Sequence, residues 1–402
     1  MKFFLASYGG AHVNTLIPII KALEERGVNY EMLALTAASP LMDRLNIKHK
    51  KITDYVNVDD PLIRKYGEIL FEKHHNSYIG ITENESIAYL GSNFLELVET
   101  YGEEQAYEIY KKEGINSFFP LKLAMRILEE ESPDILITTE SPRMESALLR
   151  AAFLKGISNF CILVLFPFLF KERLIRNDYV KNICVVNEKI KNLLIEFGRT
   201  PETIFVTGNP GFDLLYEEDP IKVRNTLRRK MGLTGHEKLV LWIDRPEQIN
   251  SNFLNMSIKK EISAFCFTRD DYKSCIRFHP NSNSNEMEAP FDFISFSDEP
   301  LKDILLAADV VISMTSTAGY EALLLNKKTI IVKGSDYDAC VAFDEHDGAY
   351  VIASFQEIPQ AILDIQDDRK SEILEINRLK LPAIGCATAN LLKTIECVYE
   401  GY

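Results

Sequence analysis

Hydrophobic residues along the chain alternate between short apolar runs and longer amphipathic stretches. The run Lys2–Ser7 predicts a β-strand, and the amphipathic stretch from about residue 14 to residue 26 predicts a helix that Gly27 ends. Later apolar runs also precede helical patterns, among them Asp134–Thr138 and Val310–Ser313. Strands that alternate with helices in this way form parallel sheets with crossover helices. The pattern therefore predicts an α/β protein.

The chain is too long for a single ordinary hydrophobic core, because it has 402 residues. Proline and glycine interrupt the pattern in TIFVTGNPGF, Thr203–Phe212, after which the strand–helix cycle restarts. We therefore expect two Rossmann-like domains, residues 1–208 and residues 213–380, with a ligand-binding cleft between them. Residues 381–402 should form a C-terminal helix that packs back on the N-terminal domain. Residues 60–130 have a mostly helical pattern and predict an insert in the N-terminal domain.

Composition and charge limit which binding partners and which cellular location the sequence predicts. The formal net charge of −14 disfavours binding to the phosphate backbone of nucleic acids. No apolar run reaches the roughly 18–20 residues that span a bilayer. Contact with a membrane would therefore be peripheral at most, for example through the basic stretch Lys171–Arg176. The seven cysteines show neither CxxC nor Cys/His metal spacing. These features predict a reduced protein of the cytoplasm, or of the inner face of the cell membrane, without structural zinc.

In open parallel sheets, ligands bind at the carboxyl ends of the strands. In the N-terminal half, Gly9 and Gly10 follow the first strand and precede His12 at a helix start, where backbone N–H groups favour an anion. Glu140 and Arg143 follow a later strand. We expect the glycines to bind the nucleotide, His12 or Glu140 to be a general base, and Arg143 to contact the acceptor or a phosphate. A tight turn and a helix-capping loop are the purely structural alternatives.

The C-terminal half carries a second set of candidates at strand ends. His279 follows a strand, and Pro280 keeps it out of the helical conformation, so that its ring can donate to a phosphate oxygen. Hydroxyl side chains that would bind a phosphate with a helix N-terminus follow another strand: Ser313, Thr315, Ser316 and Thr317. Glu321, one turn into that helix, could accept a ribose hydroxyl. A turn histidine, an ordinary helix cap and an exposed first-turn acid are the structural alternatives.

These segments resemble the GT-B glycosyltransferase superfamily over nearly the whole chain. GGAHVNTLIPIIKALEERG resembles its usual opening, VTGNP the end of its N-terminal domain, and RFHP…LKDILLAADVVISMTSTAGYEALLLNKKTIIV its nucleotide-binding core. The dipeptides at residues 279–280 and 316–317 are similar to the HP and Ser-Ser/Thr motifs with which bacterial sialyltransferases of this fold hold cytidine monophosphate. The tripeptide KEG at residues 112–114 departs from the acidic motif that supplies their general base.

The resemblance implies an inverting glycosyltransferase that moves a sugar from a nucleotide-activated donor to a saccharide acceptor. The donor would be a CMP-sugar, such as a sialic-acid-like sugar, or a UDP-sugar, and the setting would be bacterial surface polysaccharide synthesis. His12 or Glu140 would deprotonate the acceptor hydroxyl, while His279 would stabilise the leaving phosphate. No DxD-type metal site is evident in the sequence, so we expect neither a metal ion nor another cofactor.

Three other functions suit the same motifs. A nucleotide-sugar 2-epimerase of this fold would convert its substrate without an acceptor. A CDP-polyol phosphotransferase would use the same histidine and hydroxyl motifs for a donor such as CDP-glycerol, and a phosphate would travel with the transferred group. A regulatory protein that has lost turnover would bind the nucleotide and form no product.

Overall fold

The computed structural model describes residues 1–74, 80–164, 171–233, 235–244, 252–279, 293–295, 299–335, 338 and 344–401. The chain forms two compact units. Unit 1 consists of Met1–Leu214 together with Gly385–Tyr402, and unit 2 is the continuous segment Leu215–Ile384. Each unit is built on a six-stranded sheet with a buried hydrophobic core of its own.

The strands of unit 1 are β1 (Lys2–Ser7), β2 (Asn29–Ala34), β3 (Ile135–Thr139), β4 (Ser158–Ile162), β5 (Asn182–Val185) and β6 (Ile204–Val206). They lie in the order β2-β1-β3-β4-β5-β6, and each neighbouring pair is parallel. Almost every residue of β1 and β3 is buried, because packed elements cover both faces of the sheet. The predicted parallel sheet with crossover helices is confirmed in this unit.

The helices of unit 1 that precede unit 2 are α1 (Ala11–Glu25), α2 (Ala38–Leu45), α3 (Pro61–His74), α4 (Glu83–Tyr101), α5 (Glu103–Glu113), α6 (Leu121–Glu131), α7 (Met144–Lys155), α8 (Lys171–Leu174) and α9 (Glu188–Glu196). Helices α3 to α6 form the predicted helical insert between β2 and β3. A Cβ atom on Gly91 of α4 would lie 2.0 Å from the carbonyl oxygen of Ile63 in α3. Glycine therefore permits the close approach of these two helices.

The strands of unit 2 are β7 (Lys238–Ile243), β8 (Tyr272–Arg277), β9 (Ile294–Ser295), β10 (Val310–Ser313), β11 (Lys328–Val332) and β12 (Tyr350–Ile352). Their order is β12-β11-β10-β7-β8-β9, again with parallel pairings. The helices are α10 (Pro220–Lys230), α11 (Asn252–Phe267), α12 (Leu301–Ala307), α13 (Thr317–Leu324), α14 (Ile358–Asp364) and α15 (Asp368–Arg378). The second strand–helix cycle that the sequence predicts is therefore present.

The chain returns to unit 1 in its final helix, α16 (Ala387–Glu400). Leu391, Leu392 and Ile395 of this helix belong to the same hydrophobic core as β1 and α1. The Asp213 carboxylate accepts hydrogen bonds from the backbone N–H groups at the start of α16, including that of Thr388 at 2.7 Å. Asp213 lies just before unit 2 in the sequence, and it binds the backbone just after unit 2. It thus connects the two points at which the chain leaves and re-enters unit 1. Within the described ranges, no helix is both long and apolar enough to cross a bilayer.

Candidate active site

The strand order of unit 1 changes direction at β1. The chain moves from β1 to β2 on one side and then to β3 on the other, so the carboxyl ends of β1 and β3 form the switch point where such sheets bind ligands. Strand β1 leads to Gly9, Gly10 and His12, and β3 leads to Glu140 and Arg143. The structure therefore brings the five N-terminal candidates to one edge of one sheet.

His12, half-buried in the first turn of α1, is hydrogen-bonded to the end of β3. Its Nδ1 atom lies 2.6 Å from Oγ1 of Thr139. The Thr139 hydroxyl donates to Oε2 of Glu145 at 2.6 Å. Glu145 also accepts the backbone N–H groups of Tyr8, at 2.9 Å, and of Thr139, at 3.0 Å. Because Glu145 is 0% exposed, a fully buried carboxylate is connected to His12 through a single hydroxyl group.

This network assigns the tautomer of His12. Thr139 has one hydroxyl proton and donates it to the carboxylate, so its oxygen accepts the hydrogen bond from His12. Nδ1 of His12 therefore carries the proton, and Nε2 holds the lone pair. A neutral imidazole with an unprotonated Nε2 can remove a proton from a hydroxyl group. His12 thus has the hydrogen-bonding geometry of a general base.

Glu140, the other candidate base, is more deeply buried than His12. Its carboxylate accepts a hydrogen bond from the backbone N–H of Val164 at 3.0 Å. Burial raises the pKa of the Glu140 carboxyl. Because Glu140 is held against the backbone and His12 is half-exposed at the strand ends, His12 is the more accessible of the two.

Arg143 directly precedes α7, as its N-cap residue, and packs against two buried tyrosines. Its guanidinium carbon lies 4.3 Å from the centroid of the Tyr8 ring, in the geometry of a cation–π interaction. The hydroxyl groups of Tyr8 and Tyr89 are 2.8 Å apart, and Tyr8 also accepts the N–H of Met144. The backbone of Arg143 has a φ of 69°, which is uncommon for a residue with a side chain.

Both glycines of the first loop have structural reasons to be glycine. Gly10 has a φ of 72° directly before α1, and a Cβ atom on Gly9 would lie 2.5 Å from that of Ala37. The tight-turn alternative therefore accounts for both residues. Their expected contact with a nucleotide stays a prediction.

Unit 2 has its own switch point, at the carboxyl ends of β7 and β10. The hydroxyl-rich turn follows β10, and half-buried His279 follows β8, which lies on the other side of β7. These candidates therefore share one edge of the second sheet. Pro280 of the expected dipeptide lies outside the described residues.

The hydroxyl groups of this turn are largely bonded within the unit. Ser316 caps α13 by accepting the N–H of Gly319 at 3.1 Å. Ser313 donates to a backbone carbonyl at 2.7 Å and lies 2.8 Å from the Ser316 hydroxyl. Thr315 donates to Asp338 at 2.6 Å. A phosphate at this edge would therefore be bound mainly by the backbone N–H groups that open α13, near Thr317.

Glu321 lies in α13, one turn behind the hydroxyl-rich turn, and is half-buried. Burial raises the pKa of its carboxyl from the usual 4.5 to about 7. Glu321 therefore changes its charge near neutral pH. The expected hydrogen bond to a ribose hydroxyl stays a prediction.

Several residues at these two edges were not predicted from the sequence. Glu145 has the sequence features of an ordinary helix start, and Thr139 was given no role of its own. Asp244 directly follows β7 and forms a buried ion pair with Lys259, with 3.0 Å between Nζ and Oδ2. The indole N–H of Trp242 donates to the other carboxylate oxygen at 3.1 Å. The position of Asp244 directly after a strand was the signal that could have identified it.

Among the residues that the structure describes, no group of three or more His, Cys, Asp or Glu side chains is arranged to hold a metal ion. The sequence gives the same expectation. Independence of the reaction from metal ions stays a prediction, which a chelator can test.

Solved structures similar to this chain identify the fold. UDP-bound MnaA from S. aureus has a TM-score of 0.63 at 15% identity, over 99% of this chain and 97% of that one. The UDP-GlcNAc 2-epimerase from Neisseria meningitidis bound to UDP-GlcNAc has a TM-score of 0.61 at 14% identity, over 98% and 100%. A glycosyltransferase from Rickettsia africae has a TM-score of 0.57 at 14% identity, over 100% and 98%. The predicted GT-B class, with two Rossmann-like domains and a helical insert, is confirmed.

By sequence, no curated protein matches the chain. Residues 170–370, which make up half of the chain, match the family described as CDP-Glycerol:Poly(glycerophosphate) glycerophosphotransferase. The matched segment includes the candidate residues of unit 2, from His279 to Glu321. The chain therefore belongs to the CDP-glycerol:poly(glycerophosphate) glycerophosphotransferase family, and it is a transferase with a GT-B fold.

Proposed function

We propose that this protein transfers a polyol phosphate from a CDP-linked donor, such as CDP-glycerol, to a hydroxyl group of an acceptor. The observation that carries the proposal is the family match over residues 170–370, which include His279 and the start of α13 at one edge of a sheet. The hydrogen-bonded base in unit 1 supports the same reaction, because each acceptor hydroxyl must lose a proton. A phosphotransferase was one of the alternatives that the sequence left open.

In the proposed reaction, His12 acts on the acceptor. The acceptor hydroxyl gives its proton to Nε2 of His12 as its oxygen attacks the phosphorus of the polyol phosphate. An O–P bond forms while the P–O bond to cytidine monophosphate breaks, and CMP leaves with the electron pair of that bond. The Thr139 oxygen keeps the His12 ring in the reactive tautomer, and the buried charge of Glu145 stabilises the imidazolium that forms.

The residues of unit 2 act on the donor in this proposal. The backbone N–H groups at the start of α13 point toward an anion, and the helix dipole adds a partial positive charge there. His279 would donate to the phosphate of the departing CMP. One well-placed donor of this kind contributes about 2–4 kcal/mol of transition-state stabilisation. Glu321 would bind a ribose hydroxyl.

Glycosyl transfer from a CMP-sugar or a UDP-sugar is the second candidate function. It is supported by the likeness of the fold to a glycosyltransferase and to UDP-binding enzymes. The same base would then activate a hydroxyl of a saccharide acceptor, which would attack the anomeric carbon. Either reaction would suit bacterial surface polysaccharide synthesis in the cytoplasm, at the inner face of the membrane, where the basic stretch at residues 171–176 could provide peripheral contact.

Nucleotide release and product mass distinguish these functions. The purified protein is incubated with CDP-glycerol, a CMP-sugar or UDP-GlcNAc, each with and without a polyol or saccharide acceptor. The proposal expects CMP from CDP-glycerol and a product that carries one added glycerol phosphate, with a rate unchanged by a chelator. Added sugar mass would instead support glycosyl transfer, and conversion of UDP-GlcNAc alone would support an epimerase. Tight binding of all nucleotides without turnover would contradict both transferase functions.

A further inference from the structure

A cavity of about 150 Å³ lies in unit 1, between the sheet edge and the helical insert. Thr36, after β2, and Arg143, after β3, line it from the sheet edge. Tyr89, Ser86 and Glu85 line it from α4 of the helical insert. His74, at the end of α3, and several aliphatic side chains complete the wall. A cavity with a mostly apolar wall and a few converging polar groups is typical of a small-molecule site.

Arg143 brings an incompletely compensated positive charge to this cavity. Among the described residues, no carboxylate lies within ion-pair distance of its guanidinium; the ring of Tyr8 at 4.3 Å, the hydroxyl of Tyr89 and the more distant charge of Glu145 stabilise it. The Nε atom of Arg143 is buried and has no hydrogen-bond partner in the described part of the chain. Buried charges in proteins are normally paired or bound to a ligand. Arg143 therefore has a donor left over that an anion at this cavity could accept from.

The acidic residue of the cavity does not supply that anion. Glu85 caps its own helix, because its carboxylate accepts the N–H and the hydroxyl proton of Thr82. It also accepts the hydroxyl of Ser39 at 2.8 Å and lies 4.0 Å from the ammonium group of Lys51. The negative charge of Glu85 is thus already compensated by neighbours other than Arg143.

Backbone conformation singles out the same two positions. Five described residues other than glycine have a positive φ. Three of them follow the last turn of a helix, which is an ordinary place for this conformation: Asn46, Ser132 and Asn326. The other two are Thr36, with a φ of 48°, and Arg143, with a φ of 69°. A β-branched threonine is rare in this region, and such strain is concentrated at ligand sites.

We infer that this cavity binds the anionic group of the acceptor, a phosphate ester or a carboxylate on a small polyol or sugar, with Arg143 as the counter-charge. A guanidinium donates two parallel hydrogen bonds to either group. Tyr8 connects the site to the hydrogen-bond network of the base, because it contacts Arg143 through its ring and Glu145 through its backbone N–H. The role of acceptor rests on the proposed transferase function, whereas the binding of an anion does not.

Binding is measured first, without donor. Glycerol 3-phosphate and glucuronate represent the phosphate and carboxylate classes, and uncharged glycerol is the control ligand. Calorimetry with wild-type protein should give saturable binding of at least one anion and none of glycerol. Arg143→Gln should weaken that binding at least tenfold, Arg143→Lys less so, and Ser86→Met should weaken it by filling the cavity without removing the charge. Arg150→Gln, on the partly exposed face of the same helix, should leave it unchanged.

Equal affinity of wild type and Arg143→Gln for both anions, with circular dichroism showing both proteins folded, would overturn the inference. Equal affinity for glycerol would do the same. If the anion binds as expected but no donor is consumed, the transferase proposal fails and the site stands. If transfer proceeds and Arg143→Gln leaves the KM of an anionic acceptor unchanged, the cavity is not the acceptor site, and the transferase proposal is still supported. The expected split is a KM at least tenfold higher with kcat largely retained.

Discussion

The Nδ1 atom of His12 lies 2.6 Å from Oγ1 of Thr139. The two residues belong to different segments of unit 1, one at the start of α1 and the other at the end of β3. Their contact links the ring at the sheet edge to a fully buried carboxylate behind it. The proposed base is therefore oriented by the sheet itself and not by a surface loop, which favours a fixed geometry.

Replacement of Thr139 tests this link. Thr139→Val keeps the shape of the side chain but removes the oxygen that accepts the Nδ1 proton, so His12 loses its preferred tautomer. We expect kcat to fall about 10–100-fold, because a positioned base contributes about 10²–10⁴-fold. Thr139→Ser retains the hydroxyl and should keep most of the activity. Steady-state rates from pH 5 to 9 check both variants, and equal rates for the valine and serine proteins would contradict the assigned role.

Replacement of His279 tests the donor side. His279→Ala should lower turnover roughly 100-fold or more, because it removes a hydrogen bond to the leaving phosphate. Thermal unfolding should be nearly unchanged, since the side chain is half-buried at the end of a strand. The exposed histidine of a short 3₁₀ turn, His346, offers a matched control in His346→Ala. An unchanged rate for His279→Ala would remove this residue from the mechanism.

Glu321 predicts a pH dependence of stability. The pKa of its carboxyl is about 7 in the folded protein and 4.5 in the unfolded chain. Between pH 4.5 and pH 7, the folded protein therefore binds the proton more strongly than the unfolded chain does. Stability should therefore fall as the pH rises from about 4.5 to 7. Glu321→Gln should lack this pH-dependent loss. Between pH 5 and pH 8, the free energy of unfolding should therefore fall by about 1–3 kcal/mol less in the variant than in wild type.

Urea unfolding of wild type and Glu321→Gln at pH 5 and pH 8 measures this effect. Glu372→Gln, at an exposed position of α15, controls for the change of charge. The same difference between pH 5 and pH 8 in wild type and in Glu321→Gln would show that Glu321 is not the responsible group.

Gly91→Ala should destabilise unit 1. In most helices this exchange stabilises by about 1 kcal/mol. Here the new Cβ would lie 2.0 Å from a backbone oxygen of α3, so the two helices must separate, and overpacking of this kind costs about 1–3 kcal/mol. Chemical denaturation gives the sign directly, and a stabilised variant would contradict the close helix crossing.

The fold was largely predictable because its signals are local. Apolar runs such as Val310–Ser313 are buried on both sides of a parallel sheet, and they are followed by helices with clear starts. Short elements were harder, and β12, with three residues, has too few positions to show a pattern. The N-terminal candidates were found because each follows a strand end, a position that the order of elements determines.

The partners of these candidates were not predictable. The hydrogen bond between His12 and Thr139 joins residues 127 positions apart in the sequence, and that between Thr315 and Asp338 joins residues 23 positions apart. No local sequence pattern indicates such pairs. Glu145 has the sequence features of an ordinary first-turn acid, and only the pairing of β1 with β3 brings it to the Tyr8 N–H. For the hydroxyl-rich turn, the sequence left both a phosphate site and a helix cap open, and the structure shows that the Ser316 hydroxyl caps α13. The binding of a phosphate there stays a prediction.

The return of α16 to the first core has a consequence for biosynthesis. Helix α16 is translated after the whole of unit 2, so the ribosome releases the continuous segment Leu215–Ile384 before unit 1 has received Leu391, Leu392 and Ile395. During synthesis, domains usually fold from the N-terminus onward. Unit 1 can therefore complete its hydrophobic core only after the whole of unit 2 has been synthesised.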